Sequence, residues 1–192
     1  MSSTYTVAVL VASLREASIS RRVANALAEL APPELALEQV PMGDLQLYNQ
    51  DFDDQDRPPA EWTTFRRAIA AADAVLFVTP EYNRSIPGVL KNAIDVGSRP
   101  YGQSAWSGKP AAVVSVSPGS LGAFGANHHL RQSLVFLNMP TLQQPEAYVS
   151  NAAALFDPQG NLVNEKTREF LRSFMVAFAG WIALTAPVTA GQ

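Results

Sequence analysis

Residues 74–96 read AVLFVTPEYNRSIPGVLKNAIDV and decide the fold. The first six are apolar on both faces of an extended chain and rich in β-branched residues, which is typical of a central parallel strand covered on both sides. After a short polar loop, Ser85 is placed as a helix cap and Pro87 as a first-turn residue, so a helix is predicted over 86–96. A buried strand followed at once by a helix is the repeating unit of an α/β fold.

The same alternation extends in both directions along the chain. Further strands are predicted at 5–11, 35–40, 111–116 and, more weakly, 141–150, and the alternating pattern of 35–40 suits an edge strand. Further helices are predicted at 18–31, 61–72, 124–137 and 164–184, and the acidic stretch 43–60 is predicted as an irregular surface loop. We therefore expect residues 1–192 to form one domain, a doubly wound five-stranded parallel sheet with helices on both faces.

The composition excludes several classes of function. The 192 residues include no Cys, which removes disulfides, thiolate nucleophiles and cysteine metal sites. Both His residues are adjacent, His128 and His129, and neighbours on a helix point about 100° apart, so no metal site is expected. The net charge of −3 lacks the basic stripe of a nucleic-acid-binding protein, and we expect no nucleic-acid partner.

No membrane insertion is expected either. The N-terminus lacks the basic start and cleavage site of a signal peptide. The longest apolar stretch, 175–186, is shorter than the ~20 residues that span a bilayer. These features favour a cytoplasmic protein.

Ligands of doubly wound sheets bind beyond the carboxyl ends of the strands, which selects the loops after residues 11, 79 and 116. Loop one, ASLREASISR at 12–21, enters a helix and offers hydroxyls and an Arg to an anion such as phosphate. It is neither a P-loop nor a dinucleotide-binding loop. The alternative is that Ser18 or Ser20 only caps the helix.

Loops two and three add groups suited to a planar ligand. In loop two, at residues 80–88, the Asn83 amide can read the polar edge of a heterocycle and Tyr82 can cover its face, whereas the alternative is a simple turn before a capped helix. Loop three, at residues 115–125, contains three glycines that permit close backbone approach to a ligand, although it can equally be a flexible connection.

Three segments together resemble one family. Residues 79–100, TPEYNRSIPGVLKNAIDVGSRP, resemble the pattern P-E-Y-N-x-S-x-P-G-x-L-K-N-A-I-D-W-x-S-R of the NADPH-dependent FMN reductases, especially their bacterial branch of chromate and quinone reductases. Residues 12–18 resemble its G-S-L-R-x-x-S, and residues 117–132, SPGSLGAFGANHHLRQ, provide a third match. The resemblance runs in order along nearly the whole chain.

This resemblance implies a flavodoxin-like fold and non-covalent FMN. By position, the phosphate would be held by Ser13, Arg15, Ser18 and Ser20. The isoalloxazine would be bordered by Pro80, Glu81, Tyr82 and Asn83, with Ser117 and Gly119 near its other edge. It also implies a homodimer or homotetramer, with contacts through the helices after loops two and three.

The implied activity is hydride transfer from NADPH or NADH to N5 of FMN, followed by reduction of a small-molecule acceptor in a ping-pong scheme. The acceptor would be a quinone, free flavin, an azo compound or a metal oxyanion such as chromate. Because the cofactor carries the chemistry, no catalytic side chain is expected. A flavodoxin-type electron carrier is the main alternative, and a flavin-independent hydrolase is a third.

Two arginines are candidates for binding substrate. Arg84 is placed to meet the phosphates of the nicotinamide nucleotide, and Arg99 to favour an anionic acceptor or contact a neighbouring subunit; either can instead be a solvated surface residue. Lys91 and Asp95 are expected to form an i,i+4 pair on a solvated helix face.

Three residues depart from the family pattern. Ala12 replaces a Gly, which predicts that the turn after the first strand avoids a left-handed conformation. Glu16 makes loop one less positive, unless its side chain faces solvent. Val96 replaces a Trp, which predicts extra space near the pocket or at a subunit contact.

Overall fold

A five-stranded parallel sheet forms the centre of the molecule in the computed structural model, which describes residues 4–186. The strands lie in the order β2-β1-β3-β4-β5 and every pairing is parallel. Their bounds are Tyr5–Val11 (β1), Leu35–Gln39 (β2), Ala74–Thr79 (β3), Ala111–Val116 (β4) and Ala147–Val149 (β5). This order is that of flavodoxin-like sheets, so the predicted fold is confirmed, including β2 as an edge strand.

Helices cover both faces of the sheet. Their bounds are Ile19–Leu30 (α1), Gln50–Asp54 (α2), Ala60–Ala71 (α3), Gly88–Gly97 (α4), Phe124–Phe136 (α5) and Glu165–Thr185 (α6), and a short 3-10 helix spans Ala152–Leu155. Side chains alternate across the strands: Val7 and Val9 of β1 pack with α1 and α6, whereas Ala8 and Leu10 pack with α3, α4 and α5. Each face therefore has its own apolar core, which explains why β1, β3 and β4 are apolar throughout.

The segment between β2 and α3 is more ordered than predicted. We expected an irregular loop over 43–60, but it contains α2, whose first turn is capped by Asn49 Oδ1 accepting from the Asp51 N–H at 3.1 Å. Arg66 donates to both carboxylate oxygens of Asp53 at 2.8 and 2.7 Å, and the Asp53 side chain is only 4% exposed. Long-range side-chain contacts of this kind fix a helix too short to be stable alone.

Asn92 of α4 fastens the same segment at a second point. Its side-chain NH₂ donates to the carbonyls of Leu45 and Gln46 at 3.1 and 3.0 Å, and its Oδ1 accepts from the Tyr48 N–H at 2.8 Å. Asn92 is 8% exposed, so these bonds are largely shielded from water. The Asn of the sequence pattern in α4 thus has a structural explanation.

Two predicted boundaries are wrong. Helix α4 begins at Gly88 after Pro87, and Ser85 does not cap it, because the backbone of Ser85 pairs with Tyr82 in a turn. Strand β5 covers only three residues of the predicted 141–150. Thr141 forms an isolated parallel bridge with Ala111, and Pro145, which lacks the N–H that a ladder requires, lies between this bridge and β5.

Within residues 4–186, no helix is long and apolar enough to cross a membrane. That residues 1–192 act as a single FMN-binding domain stays a prediction.

Candidate functional site

A cavity of about 230 Å³ lies where the carboxyl ends of β1, β3 and β4 meet. These three strands are neighbours in the sheet, so loops one, two and three are brought together as predicted. The lining residues are Ser13, Arg15, Ser18, Ile19, Ser20, Pro80, Glu81, Tyr82, Val116, Ser117 and Pro118. Ile19, Val116 and Pro118 were not singled out from the sequence, although their position within the three loops was a usable signal.

Loop one places three nearly buried hydroxyls beside the cavity. Ser13, Ser18 and Ser20 are 6, 2 and 3% exposed. Ser18 Oγ accepts from the Arg21 N–H at 3.2 Å and so caps α1, while its hydroxyl proton can still be donated to a ligand. Among the hydrogen bonds of the described residues, none involves the side chains of Ser13 or Ser20. These two hydroxyls are therefore available to a ligand.

The charges and backbone of loop one also suit an anion. The cavity adjoins the N-terminus of α1, where unpaired amides and the helix dipole favour negative charge. Arg15 is exposed and lines the cavity, and Glu16 is exposed to solvent, which is the condition under which it does not oppose an anion in loop one. A phosphate group fits this donor set, because hydroxyls, amides and a guanidinium all donate.

Ala12 continues β1 instead of turning away from it. Its N–H donates to the Val78 carbonyl at 2.9 Å, and Ala12 is not among the described residues with positive φ. The prediction that this turn avoids the left-handed region is confirmed.

Loop two is a tight two-residue hairpin. Tyr82 and Ser85 exchange backbone hydrogen bonds at 2.9 and 3.0 Å, and the two residues between them have positive φ, 52° at Asn83 and 66° at Arg84. This is the pattern of a type I′ turn, which Asn tolerates well and Arg does not. The hairpin holds Tyr82, half exposed, beside the cavity, whereas Asn83 and Arg84 are not among its lining residues.

The Glu81 carboxylate has a role that the sequence did not reveal. Its Oε2 accepts from the Ala126 N–H at 3.0 Å, in the first turn of α5. Helix α5 has no side-chain cap of its own at Ala123, so Glu81 supplies one from loop two. A Cβ on Gly125 would lie 3.0 Å from the same oxygen, so the close approach depends on glycine there. Glu81 thus lines the cavity and also ties loop two to α5.

Ser85 makes a second connection between loop two and α5. Its hydroxyl lies 2.6 Å from Nδ1 of His129. The residue predicted as a helix cap therefore joins the hairpin to a helix 44 positions further along the chain.

Loop three contributes Ser117 to the cavity and holds Gly119 beside it. Ser117 Oγ accepts from the Gly119 N–H at 3.0 Å, while the Ser117 N–H donates to the Val149 carbonyl at 3.0 Å. Gly119 is not among the lining residues. The loop is thus attached to β5, in contrast to the flexible connection considered from the sequence.

Comparison with known proteins agrees with this geometry. The sequence pattern of the NADPH-dependent FMN reductase family matches residues 5–154. The chain belongs to this family. It is an oxidoreductase that uses FMN, with NAD(P)H as the electron donor.

The relatives of this FMN reductase family member are similar over their full length. It is 63% identical over 188 residues to a quinone reductase of Pseudomonas putida, with 98% of this chain and 100% of the relative covered. It is 46% identical to a 2-hydroxy-1,4-benzoquinone reductase of a Burkholderia species, with 92 and 95% covered. Among solved structures, FerB, a flavoenzyme NAD(P)H:(acceptor) oxidoreductase of Paracoccus denitrificans, superposes with a TM-score of 0.89 at 41% identity, with 96 and 100% covered.

Four residues discussed from the sequence of this reductase lie away from the cavity. Arg99 lines a separate groove of about 340 Å³ between α4 and α5, with His129 and Phe136. Val96 is fully buried in the core, so its side chain reaches neither the cavity nor the surface, and the prediction made for it is wrong. Lys91 and Asp95 form the predicted i,i+4 pair at 2.8 Å on an exposed face.

An aromatic cluster lies at the N-terminal end of α5, next to loop three. Phe124, His128 and Tyr148 have ring centroids 4.2 to 6.2 Å apart, and His128 Nε2 is 3.0 Å from the Tyr148 hydroxyl. Burial, and then the hydrogen bond and charge of Glu146, raise the pKa of Tyr148 to about 12. Tyr148 is therefore a neutral hydrogen-bonding group throughout the physiological range.

Proposed function

We propose that this FMN reductase family member is a quinone reductase that holds FMN in the cavity between loops one, two and three. The observation that supports the proposal most strongly is the donor set of loop one. The nearly buried hydroxyls of Ser13 and Ser20, which have no hydrogen-bond partner among the described residues, and the Arg15 guanidinium lie beside the N-terminus of α1. The choice of a quinone as acceptor is supported by the full-length similarity to proteins named quinone reductases.

In this proposal each loop has a separate role in binding FMN. Ser13, Arg15, Ser18 and Ser20 donate hydrogen bonds to the phosphate. Pro80 and Tyr82 border the isoalloxazine, while Glu81 acts by fixing loop two against α5. The backbone at Asn83 and the residues Ser117 and Gly119 complete the rim.

When bound, FMN would supply the redox chemistry by taking a hydride from NAD(P)H and passing a hydride equivalent to the quinone, with solvent supplying the proton that completes the hydroquinone. The chain's own residues bind and orient the ligands, and none is proposed as a proton donor. Because the sequence has no second nucleotide-binding motif, we propose that NAD(P)H and the quinone use one open face in turn. Arg84, exposed at the hairpin tip, is proposed to meet the phosphates of the nucleotide.

The test is steady-state turnover by the purified FMN-loaded protein. We expect NADPH oxidation that depends on added benzoquinone, with parallel double-reciprocal lines as the two substrates are varied. Parallel runs with chromate, an azo dye and free FMN rank the acceptors. NADPH that is not oxidised with any acceptor would support the electron-carrier alternative and refute the proposal.

We also propose that the chain forms a homo-oligomer through α4 and α5. Val135 and Phe136 of α5 are 78 and 80% exposed, and Tyr101, after α4, is 88% exposed. Phe136 lines the groove between the two helices and, together with Tyr101, a second groove beside it, and exposed apolar patches commonly mark interfaces. Light scattering should show a dimer or tetramer, and Phe136→Glu should shift it towards monomer; a monomeric native protein would contradict this proposal.

A further inference from the structure

A buried pair of polar side chains lies directly beneath loop three. Asn127, in the second turn of α5, and Ser115, the next-to-last residue of β4, are both 0% exposed. The Asn127 side-chain NH₂ donates to Ser115 Oγ at 3.2 Å. The Ser115 hydroxyl in turn donates to the Gly122 carbonyl of loop three at 2.7 Å. Most buried polar side chains in proteins are paired in this way.

Arg131 gives this chain of hydrogen bonds a single direction. Its Nε donates to Asn127 Oδ1 at 2.9 Å, and its Nη1 donates to the Leu142 carbonyl at 2.9 Å. Because a guanidinium has no acceptor, the oxygen of the Asn127 amide must face Arg131 and the NH₂ must face Ser115. The single proton of the Ser115 hydroxyl is thereby left for a backbone carbonyl, and the Gly122 carbonyl at 2.7 Å lies closer than the Ala147 carbonyl at 3.4 Å.

Gly122 is the point at which loop three is held most closely. Its φ is 57°, and a Cβ there would lie 2.8 Å from Cβ of Tyr148 and 2.9 Å from Oγ of Ser150. The following residue, Ala123, is also left-handed, with φ 59°. Two successive left-handed residues and a close contact leave few alternative paths for the loop, so the bond to the Gly122 carbonyl defines where it ends.

We propose that Asn127 is a positioning residue for FMN binding, and this rests on the function proposed above. Asn127 is fully buried and is not among the cavity-lining residues, so it acts through Ser115 and Gly122. By orienting the Ser115 hydroxyl, it holds loop three, with Ser117 and Gly119, against the edge of the isoalloxazine.

The variant Asn127→Asp tests this direction of hydrogen bonding with little change in shape. The carboxylate still accepts from Arg131, but its second oxygen now accepts the Ser115 proton, because a bond to a charged acceptor is stronger than one to a carbonyl. The Gly122 carbonyl then loses its donor. Losing one such bond should raise the dissociation constant of FMN about tenfold. The visible spectrum of bound FMN should also change, since loop three borders the ring.

Asn92→Asp is the matched control. Asn92 is also a buried amide on a helix that donates and accepts, but it fastens the segment between β2 and α3. The Asn92→Asp variant should lower the melting temperature of the apoprotein and leave both the FMN dissociation constant and the spectrum of bound FMN unchanged. Ser115→Ala, which removes the donor to Gly122, replaces Asn127→Asp in the test if the latter does not fold.

Each apoprotein is titrated with FMN, and binding is monitored by flavin fluorescence. The melting temperature of each apoprotein and the visible spectrum of its bound FMN are measured as well. An unchanged dissociation constant in Asn127→Asp would overturn the inference, and so would weaker binding with a bound spectrum identical to that of the native protein. If the native protein binds no FMN, the proposed function itself fails, which is a different result.

Discussion

Replacing Glu81 by alanine should destabilise the protein even without FMN. The carboxylate accepts from the Ala126 N–H at 3.0 Å and places a negative charge at the N-terminus of α5. Loss of a capping hydrogen bond costs about 1 kcal/mol, and loss of a charge at this end of a helix costs about 0.3–1 kcal/mol. The free energy of unfolding should therefore fall by roughly 1–2 kcal/mol, a drop of about 3–6 °C in melting temperature for a chain of this size.

Glu81→Gln separates the two contributions. The glutamine oxygen can still accept from Ala126, so only the charge is lost, and the destabilisation should be about 0.3–1 kcal/mol. Glu169→Ala, at an exposed position within α6, is the control and should change stability by less than about 0.5 kcal/mol. All four apoproteins are melted and followed by circular dichroism.

The expected order of melting temperature is native and Glu169→Ala together, then Glu81→Gln, then Glu81→Ala. The reasoning would be refuted if the Glu81→Ala apoprotein had the same melting temperature as the native apoprotein while its FMN affinity fell. That result would mean that the carboxylate acts on the flavin and not on α5.

Three further predictions concern binding and pH. Arg15→Ala should weaken FMN binding about tenfold or more, since a charge-assisted hydrogen bond contributes about 1.5–3 kcal/mol, and it should leave the melting temperature of the apoprotein unchanged. FMN titration checks this, with Arg67→Ala as a control at an exposed site. Equal FMN affinities of the two variants would exclude a phosphate-binding role for Arg15. Arg84→Asn should stabilise the apoprotein by up to about 1 kcal/mol, because Asn tolerates the left-handed region better than Arg does. It should also raise the KM for NADPH, because the proposed contact with the nucleotide phosphates is lost. An unchanged KM would show that Arg84 is not part of the nucleotide site. Tyr148 should ionise at about pH 12, so its contribution to stability is complete below pH 10 and is lost as the pH rises towards 12. Glu146→Gln should lower the pKa of Tyr148 only in part, because burial is the larger cause of its rise. Ultraviolet absorbance of the phenolate follows the titration, and an unmoved titration would contradict the contribution assigned to Glu146.

Features that depend on local periodicity and burial were predictable from the sequence. The strands β1, β3 and β4 were found because residues apolar on both faces have few other uses in a chain of this composition. The cavity followed from them, since adjacent parallel strands must present their carboxyl ends at one edge. Ser18 was likewise recognisable as a cap by its position before α1.

Contacts between distant residues were not predictable. Ser85 has the composition of a helix cap, but a hairpin and His129 determine its environment. The hydrogen bond from Ala126 to Glu81 joins residues 45 positions apart, and no local sequence pattern predicts it. Helix α2 is too short to show periodicity and depends on Asp53 meeting Arg66. Family resemblance identified Glu81 as important, and only the geometry distinguishes a ring contact from a helix cap.

The fastening of the segment between β2 and α3 has a practical consequence for experiments on this enzyme. Amides of long connections usually exchange with solvent first, but the Tyr48 amide is bonded to a buried side chain of α4. It should exchange only when the segment separates from α4, so its exchange rate reports how often that contact opens. A fusion or affinity tag inserted here would disturb α4. The turn at 157–160, where Pro158 and Gln159 are exposed, is the better place for an insertion.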